Sequence, residues 1–272
     1  MEFKIFNVRH GFCAALMDNS YLSLIDCGHD GDNFKPLEWL YSKGYRHINS
    51  LIISNFDQDH ISDLSTLSRN FTVGGLAVNP SVSASVLRSI KQQSGAVSNE
   101  MEILLKGMEN PNLDTVYHVP YQVDNAYINL YWIHYPLETE TNNLSLVTFI
   151  RFGTGNIIYP GDIEKRAWDR FLGDPRVLEE LRQTNVFIAS HHGRINGYNE
   201  NVFNYCNPEV VIISDQERTF STQEHDKYSQ HASGINMGTI LAPNIRRVLT
   251  TRNDGHITLK KNGAITYVRL GL

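Results

Sequence analysis

The sequence predicts a protein of the α/β (α+β) class built as a four-layer αββα sandwich, and three observations predict it. Short apolar runs rich in valine, isoleucine and tyrosine recur along the chain, each bounded by turn residues, at lengths that suit strands. These runs come in blocks, with helical stretches between blocks and no strict alternation of strand and helix. That is the pattern of two packed sheets with helices on their outer faces. The chain has 272 residues, 41% apolar and 19% charged, so it carries enough hydrophobic material for a large core.

In chain order, strands are expected at residues 3–8, 14–17, 21–25, 51–53, 75–78, 126–131, 146–152, 156–159, 186–189, 210–213, 247–251, 257–260 and 264–269. Helices are expected at 34–43, 61–67, 84–106, 164–172, 175–182 and 199–205, the third with a break near Ser94-Gly95. Residues 107–125 read as a surface excursion. No internal repeat, low-complexity tract or linker divides the sequence, so one domain over 1–272 is expected.

Composition narrows the function classes. Cys13, Cys27 and Cys206 form no CxxC pair and are too few for a disulfide framework, which suits a reducing compartment. The start MEFKIFNVRHGF lacks the features of a signal peptide, and no stretch approaches roughly 18 consecutive apolar residues. A cytoplasmic protein without a membrane segment is therefore expected. The net charge of -5 gives no general attraction to nucleic acid, so a polyanionic substrate would have to be held by a local patch or by a metal.

Five stretches set a carboxylate, imidazole or amide just after an apolar strand or at its edge. They are LSLIDCG with Asp26, LIISNFDQDH with Asn55, Asp57, Asp59 and His60, TNNLSLV with Asn142 and Asn143, IIYPGD with Asp162, and VFIASHHG with His191 and His192. Strand ends feeding loops on one sheet edge are where rigid scaffolds collect functional groups. Taken singly, each stretch has a plainer explanation. Asp26 suits an Asx-turn, Asp162 a helix cap, Asp57 and Asp59 an acidic loop capping the helix at Ile61, and the histidine pair a solvated turn or a satisfied core. Together they gather several carboxylates beside imidazoles, and such charges raise one another's pKa unless a cation neutralises them. A divalent metal with oxygen and nitrogen ligands meets that need.

The ordered motifs LIDCG, SNFDQDHISDL, NNLSLV, IIYPGDIE and SHHG resemble those of the metallo-β-lactamase fold hydrolases, in particular the soluble domain of the DNA-uptake protein ComEC and its stand-alone relatives. That branch carries L-I-D-x-G, S-H-x-D-x-D-H-I-G-G-L, N-N-x-S-L-V, a G-D turn and an H-H-G turn in the same order. The likeness spans residues 3–193, with weaker agreement at 228–234 and 250–259. It implies the four-layer αββα metallo-β-lactamase sandwich and a divalent metal cofactor of one or two ions, Zn²⁺ or Mn²⁺, with Mg²⁺ also suited. It further implies that Asp59, His60, Asp162 and either His191 or His192 hold one metal. Asp57, with Asp162, would belong to the neighbouring position, and Asp26 would orient the ligand loop from behind. Asn55 departs from the pattern, because the family has a ligand histidine there. The family's histidine of the third motif likewise falls near Asn142 or Asn143. A first position depleted in this way suits Mn²⁺ or Mg²⁺, or no metal.

The implied chemistry is hydrolysis through metal-activated water, with Asp57, Asp59 and His60 as the catalytic group and Asp57 as the base. The expected substrate is a phosphodiester in DNA or a nucleotide, which would make the protein a nuclease or phosphodiesterase. Lys165, Arg166 and Arg194 flank the GD and HHG turns, although a solvated helix face also explains Lys165 and Arg166. His231 and Arg252 lie in late segments that approach the site in the family, so Arg194, His231 and Arg252 are candidates for holding phosphate. The same late segments also read as a surface loop and a hairpin turn at Asn253-Asp254-Gly255. Two competing functions fit the residues: hydrolysis of a small ester or thioester, and a weakened binding or assembly module, which Asn55 motivates. The channel and nucleic-acid-binding domains of full-length uptake proteins have no counterpart in the sequence, and a partner protein encoded nearby is the expected source of them.

Overall fold

The structure is a computed structural model. It describes residues 1–18, 20–29, 31, 34–110, 112–115, 126–152, 155–216, 223–239, 241–262 and 264–271, with 114–115, 152, 261–262 and 264–269 described for their backbone alone.

The chain opens with an antiparallel meander of β1 (Glu2–Ile5), β2 (Ala14–Met17) and β3 (Leu22–Ile25). α1 (Pro36–Ser42) leads to β4 (His47–Ile52), which joins β3 in parallel. α2 (Gln58–Ile61) and α3 (Leu64–Asn70) precede β5 (Thr72–Ala77). α4 (Ala84–Gln93) and α5 (Asn99–Met108) precede the short β6 (Asp114–Thr115). A second sheet begins with the antiparallel strands β7 (Tyr127–Tyr131), β8 (Val147–Phe152) and β9 (Gly155–Tyr159). α6 (Lys165–Phe171) and α7 (Pro175–Arg182) lead to β10 (Val186–Ile188) and then β11 (Val210–Ile213), both added in parallel. α8 (His225–His231) and a ribbon of β12 (Ile235–Asn236) and β13 (Ile245–Arg246) intervene before β14 (Val248–Thr250). After the short α9 (Thr251–Asp254), β15 (Ile257–Asn262) and β16 (Ala264–Leu270) return to the first sheet. The two sheet orders are β16-β15-β1-β2-β3-β4-β5-β6 and β14-β11-β10-β9-β8-β7.

Alternation along the strands explains the layers. Ala14 and Leu16 of β2 face the second sheet, whereas Ala15 and Met17 join Leu37 and Leu40 of α1 and Leu104 of α5 on the outer side. In the second sheet Val210 and Ile212 of β11 face the first sheet, while Val211 and Ile213 pack with Trp168 of α6, Leu181 of α7 and Tyr228 of α8. Both faces of these strands are covered, so they read as unbroken apolar runs such as VVII. Three apolar clusters separate four layers, as the block pattern predicts.

The break expected near Ser94-Gly95 divides 84–106 into two helices, because Gly95 takes φ +137 and the Ser83 and Ser98 side chains each cap an N-terminus by accepting from Val86 N–H and Met101 N–H. Other local expectations are corrected. The excursion expected at 107–125 is helical as far as Met108, and positions 111 and 116–125 lie outside the described residues. The late loop holds a helix, α8, anchored by the buried Tyr228. Asn253-Asp254-Gly255 makes no hairpin, since β14 and β15 belong to different sheets. Instead Thr250 Oγ1 accepts from Asn253 N–H at 3.3 Å, and the Asp254 carboxylate accepts from Thr250 N–H at 2.8 Å and from Arg246 at 3.0 Å. No helix among the described residues is long and apolar enough to cross a membrane.

Candidate metal centre

Strand ends deliver the polar residues to one edge. β3 runs into Asp26, β4 into the loop and short helix that carry Asp59 and His60, β9 into Gly161-Asp162, and β10 into Ser190–Gly193. Asp59, His60, Asp162 and His192 each offer one ligand atom, and these atoms lie within 4.8 Å of one another. His60 Nε2 is 3.2 Å from Asp162 Oδ2 and 3.9 Å from Asp59 Oδ1; His192 Nε2 is 3.3 Å from Asp59 Oδ2 and 3.9 Å from Asp162 Oδ2. Among the described residues no other group of this kind forms.

Whether these four suit a cation is decided by the imidazoles. The carboxylate of Asp26 accepts from His60 Nδ1–H at 2.8 Å, and the carbonyl of Ser214 accepts from His192 Nδ1–H at 3.0 Å. Each acceptor engages Nδ1–H, so a cation that displaces the remaining proton would meet the lone pair on Nε2. Both Nε2 atoms are buried and make no hydrogen bond. Two buried lone pairs and two carboxylates converging on one point form an N₂O₂ donor set that fits a divalent ion.

Electrostatics agree. Burial works against charge on His60, yet the carboxylates of Asp162, Asp26 and Asp59 hold its pKa well above the imidazole range. Burial likewise opposes the ionised Asp162, but His60 and His192 hold it down at about 2. Asp59, penalised by burial too, is lowered by His60 and His192. The cluster demands positive charge, which protons supply and a cation would displace.

Asp26 is fully buried behind the centre. Besides His60 it accepts from Ser54 N–H at 2.7 Å, Ser54 O–H at 2.5 Å and Tyr159 O–H at 3.0 Å. Backbone strain is concentrated here as well. Arg9, Asp26, His191 and His192 are the non-glycine residues with positive φ among the described residues; His192 belongs to the cluster, His191 adjoins it in sequence and Asp26 hydrogen-bonds His60. Such conformations cost of order 1–3 kcal/mol each and persist where the surroundings enforce them.

The glycine of LIDCG has a steric purpose. A Cβ on Gly28 would stand 1.5 Å from the Asp59 carbonyl oxygen, so the ligand loop packs directly on that backbone. Gly28→Ala is expected to displace Asp59 and His60, to destabilise the fold by about 1–3 kcal/mol or more as overpacking does, and to weaken metal uptake. Thermal melting with and without added Zn²⁺ checks this, and an unaltered melting temperature would contradict it.

Other sequence candidates lie elsewhere. Asp57 is ion-paired with Lys91 of α4 at 2.5 Å and stands outside the four-donor group, so its expected ligand position is not formed. His191 is outside it too: its Nδ1 is 3.7 Å from Glu164, and its Nε2 is 3.5 Å from Arg194 Nη1. Asn55 donates to Ser145 Oγ at 2.9 Å and to Asn142 Oδ1 at 3.5 Å, while its own Oδ1 accepts from Asp57 N–H. Asn143 instead accepts from Glu164 N–H at 2.9 Å. An amide and hydroxyl network thus surrounds Asn55. Arg252 pairs with Asp215 at 2.8 Å and Gln223 at 3.0 Å, and His231 accepts or donates at Tyr198 O–H (2.8 Å) while stacking on Phe203. Neither contacts the cluster through any of these bonds. Arg166 is paired with Glu138. Sequence reasoning missed His10, whose Nε2 is 3.5 Å from Asp59 Oδ2, and Ser214, which orients His192. The His-Gly pair in VRHGF, alike in type to SHHG, was the available signal for His10.

Fold and site together define a protein with the metallo-β-lactamase fold and a candidate metal centre. Solved structures with this architecture include the metallo-β-lactamase fold protein YhfI from Bacillus subtilis, with a TM-score of 0.50 and 12% identity over 94% of this chain and 98% of that one. Zn²⁺-bound PqqB from Methylobacterium extorquens gives a TM-score of 0.54 and 11% identity over 96% and 100% of the two chains. A diphosphatase of the PhnP family gives 0.52 and 12% over 95% and 97%. In sequence the chain is similar to ComE operon protein 3 of Bacillus subtilis (strain 168), 25% identical over 239 residues, covering 85% of this chain and 27% of that protein. The chain therefore corresponds to about a quarter of that relative's length. No family model matches it.

Proposed function

We propose that the protein is a hydrolase dependent on one divalent cation, Zn²⁺ or Mn²⁺, that cleaves phosphodiesters in DNA or a nucleotide. The observation that carries this reading is the pair of buried Nε2 atoms that make no hydrogen bond and face two carboxylates. Asp59, His60, Asp162 and His192 would hold the ion. When bound, it supplies Lewis acidity toward a phosphoryl oxygen and makes water acidic enough to ionise near neutral pH.

The chain's own residues do the rest. Asp26 and Ser214 keep His60 and His192 in the tautomer that presents Nε2. Asp59 is the most exposed of the four donors, at 21%, and its carboxylate takes the water proton on the open side. It replaces Asp57 in that role, since Lys91 holds Asp57. Arg194, beside His191, offers a guanidinium for a phosphate oxygen. Likeness to the DNA-uptake proteins supports a phosphodiester over other substrates, and a partner protein would bring further nucleic-acid contacts.

The test is a panel of plasmid DNA, a chromogenic phosphodiester and a chromogenic thioester, each assayed with Mn²⁺ and with Zn²⁺. Nicking of DNA or turnover of the phosphodiester is expected. Turnover of the thioester alone would overturn the substrate assignment, and no turnover of any substrate would favour the binding-module reading that Asn55 motivates.

A further inference from the structure

We propose that His10 is a fifth donor of the metal centre, closing its solvent-facing side. This rests on the metal-dependent reading above. His10 Nε2 lies 3.5 Å from Asp59 Oδ2, the same oxygen that His192 Nε2 approaches at 3.3 Å, and the rings of His10 and His192 are 5.4 Å apart. Its side chain is 38% exposed, against 21% or less for Asp59, His60, Asp162 and His192. The four close donors are therefore reached from within the fold, and His10 reaches them from outside.

The loop that carries His10 is built for that approach. Arg9 is in the left-handed region at φ 61, a costly choice for a residue with a Cβ. Gly11 takes φ +115, and a Cβ there would stand 2.4 Å from the Asp59 carbonyl oxygen. That same carbonyl accepts from Phe12 N–H at 3.2 Å. On the other side, Ser214 O–H donates to the Gly11 carbonyl at 3.1 Å, while the Ser214 carbonyl fixes His192. One residue thus anchors both the loop of His10 and the ring of His192.

Chemistry gives the arrangement a purpose. The family's first ligand histidine is replaced by Asn55, which is turned to Ser145. His10 returns an imidazole to the neighbourhood from a different strand end. With it the donor set becomes N₃O₂, which favours borderline ions such as Zn²⁺ or Co²⁺ over Mg²⁺. His10 stands just outside the four close donors, beside Asp59 and His192.

The experiment measures Zn²⁺ affinity by competition with a chromophoric chelator and the visible absorption of the Co²⁺-loaded protein, for wild type, His10→Ala and His10→Gln. Melting of the metal-free proteins controls for folding. The proposal expects both variants to bind Zn²⁺ about tenfold or more weakly and to show an altered Co²⁺ spectrum, because the coordination number changes. Glutamine can still hydrogen-bond Asp59 but lacks the imidazole. If His10→Gln restores wild-type affinity, or if the Co²⁺ spectra of the variants match wild type, the proposal is overturned. A wild-type protein that takes up no metal overturns the metal-dependent reading with it, whereas wild-type uptake with unaltered variants overturns this proposal alone.

Discussion

Replacing Asp59 and His60 together by alanine is expected to abolish divalent-metal binding and to reduce hydrolysis to background. The variant loses half of the four-donor group, including the imidazole whose Nε2 is 3.2 Å from Asp162. Metal assistance is worth several kcal/mol of transition-state stabilisation. At about 1.4 kcal/mol per factor of ten, this corresponds to a loss on the order of a thousandfold in kcat/KM. Because His60 is also the buried partner of Asp26, the double variant is expected to lose stability as well, so melting of the metal-free protein is measured beside turnover. Phosphodiester turnover of the double variant at the wild-type rate would remove these residues from the chemistry.

The second large effect is expected at Asp26, which touches no ion. Its carboxylate accepts four hydrogen bonds, from Ser54 N–H, Ser54 O–H, Tyr159 O–H and His60 Nδ1–H, with no exposure to solvent. Asp26→Ala would strand these donors and release the His60 ring. Breaking a buried charged pair by removing one partner costs about 3–5 kcal/mol, and loss of an orienting carboxylate costs roughly 10–100-fold in metal affinity. Asp26→Asn separates the two effects. It restores the size and one acceptor, so it should recover most of the stability, but its amide cannot accept from all four donors, so the affinity should stay reduced. Denaturant unfolding and a zinc competition titration read the two quantities. Equal recovery of both by asparagine would contradict the orienting role.

How much of this was legible in the sequence depended on the physical origin of each feature. The four layers were legible because burial on both faces writes itself as apolar runs such as VVII and LII, and helices with capping serines or prolines leave local signals. Asp59, His60 and Asp162 were legible because their residue types follow directly on buried strands. The choice between His191 and His192 was not, since it depends on left-handed backbone at both positions, which the letters do not disclose. Asp57 was expected at a metal because it matches the family's ligand loop, but position in a loop does not set direction, and Lys91 draws it away across 34 residues of sequence. The places of His10 and Ser214 were hidden for a related reason, although the His-Gly pair of VRHGF was a signal for the first. Each meets the centre through a fold contact, with Gly11 and Ser214 203 positions apart. Likewise the polar segment His225–His231 becomes helical because Tyr228 is buried against Phe187 and Phe203, a tertiary effect on a sequence with little apolar periodicity.

The most direct test of a shared cation is the metal content of the purified wild-type protein, loaded with Zn²⁺ or Mn²⁺ and freed of excess, beside the Asp59→Ala, His60→Ala double variant treated identically. One equivalent of metal per chain in the wild type and none in the variant is the predicted result. A wild-type chain that retains no metal, or a double variant that retains as much as wild type, would contradict the assignment of Asp59, His60, Asp162 and His192 to a common ion.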